Sequence, residues 1–151
     1  MKSAIGIDPG KSGYGFLLCE DNHYEFFGWP GLNLTFLILQ RWQAKYDIKT
    51  AVLEDIPTLP GKPGFFNNTK LNRNFGQWEG LLMGAVIKRD YVKPKEWQSI
   101  LLPARPGWTT TKHRSVITAQ ALIPGIDKHV HLKKHHNIAD AALLAYIGLN
   151  R

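Results

Sequence analysis

The sequence predicts an α/β fold, with a mixed central sheet opened by an antiparallel first hairpin and helices on both faces. Three observations carry that prediction. Short apolar runs at 3–8, 14–19 and 23–29 come first, separated by turn-forming residues. Segments with apolar side chains at spacings of three and four then alternate with further short runs. The chain closes on two more helical patterns, with no internal repeat or low-complexity tract.

Residues 3–8 (Ser-Ala-Ile-Gly-Ile-Asp) read as a strand that ends on the carboxylate of Asp8. Pro9 to Gly13 form a turn, and Tyr14 to Cys19 run back as the second arm of a hairpin. A third strand is expected over His23 to Trp29. From Leu32 to Tyr46, apolar residues at Leu32, Phe36, Leu39 and Trp42 predict an amphipathic helix. Thr50 to Leu53 suit a buried strand that presents Glu54 and Asp55 at its end. Three prolines, two glycines and two phenylalanines make Pro57 to Asn68 an irregular loop. Lys70 to Lys88 should be helical, with Leu71, Phe75, Trp78, Leu82 and Ala85 as one stripe serving the core or a subunit interface. Tyr91-Val92 reads as a last strand, and Pro94 opens a helix running through Trp97 to Leu101. A loop over Pro103 to Thr109, a helix over Thr111 to Leu122, a His-rich basic stretch over Asp127 to His135 and a helix over His136 to Leu149 complete the chain.

At 151 residues the sequence is expected to form a single domain over 1–151. Its 44% hydrophobic and 21% charged residues are ordinary for a globular protein. No run approaches the roughly 18 apolar residues that span a bilayer. The N-terminal Met1-Lys2-Ser3-Ala4 lacks a signal-peptide pattern, so a cytoplasmic location without membrane association is expected. Cys19 is the only cysteine, which excludes an intrachain disulfide and a cysteine-based zinc site. Nineteen Lys and Arg against twelve Asp and Glu give a net charge of +7. That balance favours a polyanionic partner: DNA, RNA or an anionic membrane surface.

Asp8 and Glu54 each end a strand, and Asp140 lies on the closing helix. If the first and fourth strands are neighbours, Asp8 and Glu54 lie side by side at one edge of the sheet. Like charges so close are costly unless a cation neutralises them or one takes a proton. Hard divalent cations such as Mg²⁺ prefer carboxylate oxygens, and a pair of them can activate water and stabilise a leaving oxygen. Taken singly, each acid also has a plain structural role, as a turn residue before Pro-Gly or as a strand cap.

Ile5-Gly6-Ile7-Asp8-Pro9-Gly10-Lys11-Ser12-Gly13 resembles the opening strand and turn of RuvC-type Holliday junction resolvases. Val52-Leu53-Glu54-Asp55-Ile56-Pro57 resembles their second acidic strand, and Asn137-Ile138-Ala139-Asp140-Ala141-Ala142-Leu143-Leu144 their closing helix. Val92 to Trp97, Lys112, and Ala119 to Gly125 resemble the phage-type branch, all in the same order. The resemblance implies an RNase H-like fold and a crossover junction endonuclease that acts as a homodimer on branched DNA, in a bacterial cell or phage-infected host. It also implies Asp8, Glu54 and Asp140 as metal ligands, with about two Mg²⁺ ions per site. The fourth ligand is either His136 or Asn137, each one turn before Asp140. We favour His136, which can also act as general base and would make Mn²⁺ a good activator. Asn137 has the alternative role of helix N-cap.

Lys112 is expected near the scissile phosphate by the same resemblance, with Arg114 beside it at a helix start. His129, His131, Lys133, Lys134 and His135 read as a phosphate-contacting strip; a zinc site is the alternative, disfavoured by the interleaved lysines. Phe65 and Phe66 either stack on unpaired bases or belong to the core. Lys62, Lys70 and Arg73 would contact the DNA backbone. Competing readings are a branched-DNA-binding module with weak or no hydrolysis, and an RNase H-type nuclease with another substrate. An actin-like kinase fragment is argued against by length, since that fold needs two lobes.

Overall fold

The computed structural model describes residues 1–10, 13–55, 69–103 and 110–151, with the side chains of 69–71 excepted. The first strand, β1 (Lys2–Asp8), pairs antiparallel with β2 (Tyr14–Cys19), which pairs antiparallel with β3 (Tyr24–Gly28). On its other side β1 runs parallel to β4 (Asp47–Glu54), and β4 runs parallel to β5 (Arg89–Val92). The five-stranded order is β3-β2-β1-β4-β5, so the expected mixed sheet with an antiparallel opening is present. The loop expected over Pro57 to Asn68 and most of that over Pro103 to Thr109 lie outside the described residues.

Side chains of a strand alternate between the two faces of its sheet, and here that alternation sorts the whole core. Ile5, Ile7, Leu17, Cys19, Ala51 and Leu53 face one layer, formed by α1 (Leu32–Lys45) and α2 (Thr69–Gly84). Phe16, Leu18 and Val52 face the other, formed by α3 (Pro94–Leu101), α4 (Thr111–Leu122) and α5 (His136–Leu149). Asp8 has the parity of Ala4 and Gly6, and Glu54 that of Val52. Both acids are therefore directed to the layer that contains α5.

That layer is held close by small residues. A Cβ added at Gly6 would overlap the backbone carbonyl of Ala141 and the amide nitrogen of Ala145. One at Gly148 would fall 2.9 Å from Val52 Cγ2 and 3.1 Å from Ala4 Cβ. Helix α5 lies directly on β1 at these crossings, buried through Ala139, Ala141, Ala142, Leu143, Leu144 and Ala145. Its near-continuous apolar sequence is that of a helix surrounded by protein.

Several expectations need correction. Leu32 is exposed at the start of α1, and Thr35 takes its place on the buried face with Leu39 and Trp42. The second helix stops at Gly84 instead of reaching Lys88, because Val86 adopts a left-handed backbone conformation.

 At that φ of 58° the amide of Val86 turns back to the carbonyl of Met83, and the amide of Ile87 to that of Leu82. Ala85 thus lies just past the helix, while Trp78 and Leu82 fill the core. Asn137 is not an N-cap: α5 begins at His136, with His135 in the capping position.

One partly buried charge ties β3 to α1. Glu25 accepts hydrogen bonds from Trp42 Nε1 (2.9 Å), Lys45 Nζ (3.2 Å), Arg41 Nη2 (3.2 Å) and the hydroxyl of Tyr46. Burial works to raise its pKa, but the bonds from Tyr46, Trp42 and Lys45 outweigh it and bring the value down to about 2. A pKa depressed from 4.5 stabilises the fold above about pH 4.5, and that stability is lost as pH falls toward 2. Glu25→Gln should cost about 2 kcal/mol in a urea melt at pH 7, and the difference from wild type should shrink below pH 4.

Candidate active site

Asp8, Glu54 and Asp140 meet at the C-terminal edge of β1 and β4. In the parallel pairing of these strands Ile7 lies opposite Leu53, which brings the next residue of each, Asp8 and Glu54, to neighbouring positions. The approach of α5 at Gly6 then sets Asp140, one residue before Ala141, over the same edge.

Asp8 is 9% exposed and accepts a hydrogen bond from the amide of Gly10 at 3.1 Å. Burial, followed by the charge of Asp140, pushes its pKa up to about 7, with a smaller push from Glu54. The Gly10 amide and His136 oppose that rise. The turn after Asp8 is anchored from α2, where the Asn74 side-chain amide donates to the Gly10 carbonyl at 3.1 Å. Gly13, at φ 43°, donates to the same carbonyl.

Glu54 is partly buried, and burial raises its pKa. Asp140 also raises it, whereas a hydrogen bond from Trp97 Nε1 to Glu54 Oε2, 2.6 Å long, lowers it. Asp140 carries the most telling atom of the group. Its Oδ1 is buried and has no hydrogen-bond partner among the described residues. Its Oδ2 lies 3.8 Å from His136 Nδ1, one turn earlier on α5. A buried carboxylate oxygen without a donor is costly, and a hard cation or an ordered water is what satisfies it. The donor set, three carboxylates and an imidazole, therefore fits a divalent metal. Among the described residues, however, no three His, Cys, Asp or Glu side chains form a ready-made cage for an ion. The acids share one electrostatic field without enclosing a single point.

The other candidates are spread around this edge. His136 stands beside Asp140 and acts on Asp8, while Asn137 is half-buried in the same first turn. Lys112 is exposed in the first turn of α4, which Thr110 caps by accepting from the His113 amide at 3.2 Å. Arg114 is half-buried and donates to Thr111 Oγ1 at 3.2 Å. Arg73 is exposed on α2, and Lys133 and Lys134 are exposed in a short 3-10 turn immediately before α5. Lys62, Phe65 and Phe66 lie outside the described residues, as does the side chain of Lys70.

The histidines expected in a phosphate-contacting strip lie in differing surroundings. His129 meets Tyr24 and Phe26 edge to face, with ring centres 6.0 and 5.1 Å apart. Nδ1 of His135 accepts from the amides of His131 and Leu132, which holds that ring against its own turn. Burial, His131 and Lys134 all lower the pKa of His135. Lys128, Lys133 and Lys134 are the exposed lysines of the stretch.

Sequence reasoning missed Trp97, Asn74 and the Gly10 amide as parts of the site. For Trp97 a signal existed. A tryptophan on the buried side of a short helix must find an acceptor for its N–H, and an acid at a neighbouring strand end is the kind of group that provides one.

No protein-family model and no curated protein matches the sequence. Solved structures do match. A Thermus thermophilus RuvC in complex with Holliday junction substrate superposes with a TM-score of 0.64, covering 96% of this chain and 90% of that one at 13% identity. A second Thermus thermophilus RuvC structure gives 0.61, with 95% and 90% coverage, also at 13% identity. The fold is that of RuvC. It is RNase H-like, as the ordered motifs implied, and the match extends over nearly the full length of both chains. At 13% identity, the RuvC likeness is a likeness of fold. Among the described residues no helix is long and apolar enough to cross a membrane.

Proposed function

We propose that this chain is a divalent-metal-dependent endonuclease that cuts branched DNA, as a crossover junction resolvase does. The observation that carries the reading is the meeting of Asp8, Glu54 and Asp140 at one edge of a RuvC-like sheet, with Asp140 Oδ1 buried and unpartnered. Asp8, Glu54 and Asp140 would hold Mg²⁺ or Mn²⁺, with His136 as the fourth ligand ahead of Asn137. Bound there, such ions would supply an activated water and charge stabilisation for the leaving oxygen. The chain's own residues do the rest. The Gly10 amide orients Asp8, and the crossing at Gly6 fixes the height of Asp140 over the strand ends. Lys112, at the start of α4, would stabilise charge on the scissile phosphate.

The charge of +7, with Arg73, Arg114, Lys133 and Lys134 on the described surface, supports a polyanionic partner. The RuvC with a Holliday junction substrate among the structural neighbours supports branched DNA as that partner. Action on two strands calls for two copies of the site, hence a homodimer working in the cytoplasm of a bacterial cell or a phage-infected host.

The test is nicking of four-way, flap and linear duplex DNA with Mg²⁺ and with Mn²⁺. Metal-dependent cleavage favouring the branched substrates is expected. Tight junction binding with no cleavage under either metal would leave the binding-module reading in its place. For Lys112→Ala, turnover should fall by about 10²-fold or more, while DNA affinity stays within a few-fold because one screened phosphate contact contributes little. Unchanged turnover would return Lys112 to the solvated surface.

A further inference from the structure

The contact between Trp97 and Glu54 lies outside the set of acids and cations that defines the site. Trp97 is 2% exposed and packs in the α3–α4–α5 layer. It sits one turn into α3, a helix that Pro94 opens and Glu96 caps by accepting from the Lys93 amide. From there its indole N–H reaches across to β4 and donates to Glu54 Oε2 at 2.6 Å. That length is short for an N–H···O bond, and bonds to carboxylates are in general the shorter ones. Among the described residues it is the only hydrogen bond that the Glu54 side chain makes.

We propose that Trp97 is a positioning residue: by holding Oε2 of Glu54 it fixes the carboxylate's rotation and leaves Oε1 as the oxygen presented to the metal site. This rests on Glu54 as a metal ligand in the reading above. A glutamate side chain has three rotatable bonds, and anchoring one oxygen removes most of that freedom before an ion arrives. The donor comes from a rigid, buried ring, so the anchor costs little additional order. It would also favour Oε1 as the ligating oxygen, and a hard cation such as Mg²⁺ would suit a carboxylate held in this way. Groups that orient a metal ligand from behind are generally worth 10- to 100-fold in metal affinity or activity.

A purely structural role for Trp97 makes different demands. An indole that only fills the core needs its shape and no particular acceptor. The decisive variant is therefore Trp97→β-(3-benzothienyl)alanine, which puts sulfur where the N–H was and keeps the ring shape, with Trp97→Phe beside it. Two quantities are read: the Mn²⁺ concentration that half-saturates the rise in Tm, and the separate kcat and KM for nicking of junction DNA. Both variants should raise the Mn²⁺ midpoint about tenfold and lower kcat about tenfold, with KM for DNA unchanged. A benzothienylalanine variant with wild-type Mn²⁺ midpoint and kcat would overturn the proposal, even if Trp97→Phe were unstable. Glu54→Gln is the control, and it should abolish the Glu54-dependent part of the Mn²⁺ response. If that response survives Glu54→Gln, the metal reading of Glu54 fails first and the role of Trp97 falls with it.

Discussion

Asp8→Asn is expected to stabilise the metal-free protein by up to roughly 4 kcal/mol near neutral pH while abolishing cleavage. The pKa of Asp8 is raised from 3.8 to about 7, and each unit corresponds to about 1.36 kcal/mol. Between those values the folded protein keeps a proton that the unfolded chain has released. Stability therefore falls as pH climbs from about 4 to about 7, and above that the full cost is present. Asparagine has nearly the same shape and can still accept from the Gly10 amide, so the charge is removed without disturbing the turn. Thermal melts in EDTA should give curves that coincide near pH 4 and separate by on the order of 10 °C at pH 8. Added Mn²⁺ should raise the Tm of the wild type more than that of the variant. Equal melting temperatures at pH 8 would mean that Asp8 is not strained by its neighbours, and the case for a cation site would lose its electrostatic basis.

Gly6→Ala is the second large effect, and its sign is opposite. A methyl at that position overlaps backbone atoms of Ala141 and Ala145, which cannot rotate away as a side chain would. The helix must lift off β1 or the strand must bend, at a cost of about 3 kcal/mol or more. Lifting α5 also withdraws Asp140 from Asp8 and Glu54, so metal binding should weaken in the fraction that still folds. Gly76→Ala and Gly80→Ala provide the contrast. An added Cβ meets nothing within 4 Å at either place, so each should add up to about 1 kcal/mol through helix propensity. Denaturant midpoints for the three variants, at constant slope, check the ordering. A Gly6→Ala protein as stable as wild type would show that the crossing of α5 over β1 has room to spare.

Much of this architecture was legible because it rests on periodicity. The strands around Ile5, Leu17 and Val52 advertise themselves as short apolar runs, and α4 and α5 begin and end where their patterns do. Asp8 and Glu54 were legible as acids at strand ends, and the parallel pairing of β1 with β4 joins them. What the sequence concealed depends on contacts between residues far apart in it. The bond from Trp97 to Glu54 spans 43 positions, and that from Asn74 to the Gly10 carbonyl spans 64. The surroundings of the histidine-rich stretch were concealed for a related reason. Composition marks it as basic, but the rings of His129 and His135 are engaged by the aromatic face of β3 and by their own turn. The early end of α2 follows from one backbone angle at Val86, a β-branched residue that no propensity scale would place there.

The crossing of α5 over β1 also has a kinetic meaning. It joins the first strand to the last helix, so the contact that completes the acid cluster closes a loop of well over a hundred residues. Such closures are among the slowest steps available to a folding chain, because their entropy must be met before any contact repays it. The hairpin of β1 and β2 and the individual helices can form early, but none of them contains more than one of the three acids. Chains still on their way to the native state therefore lack the assembled acid cluster, and on the proposed function the capacity to cut would arrive only once this long loop has closed.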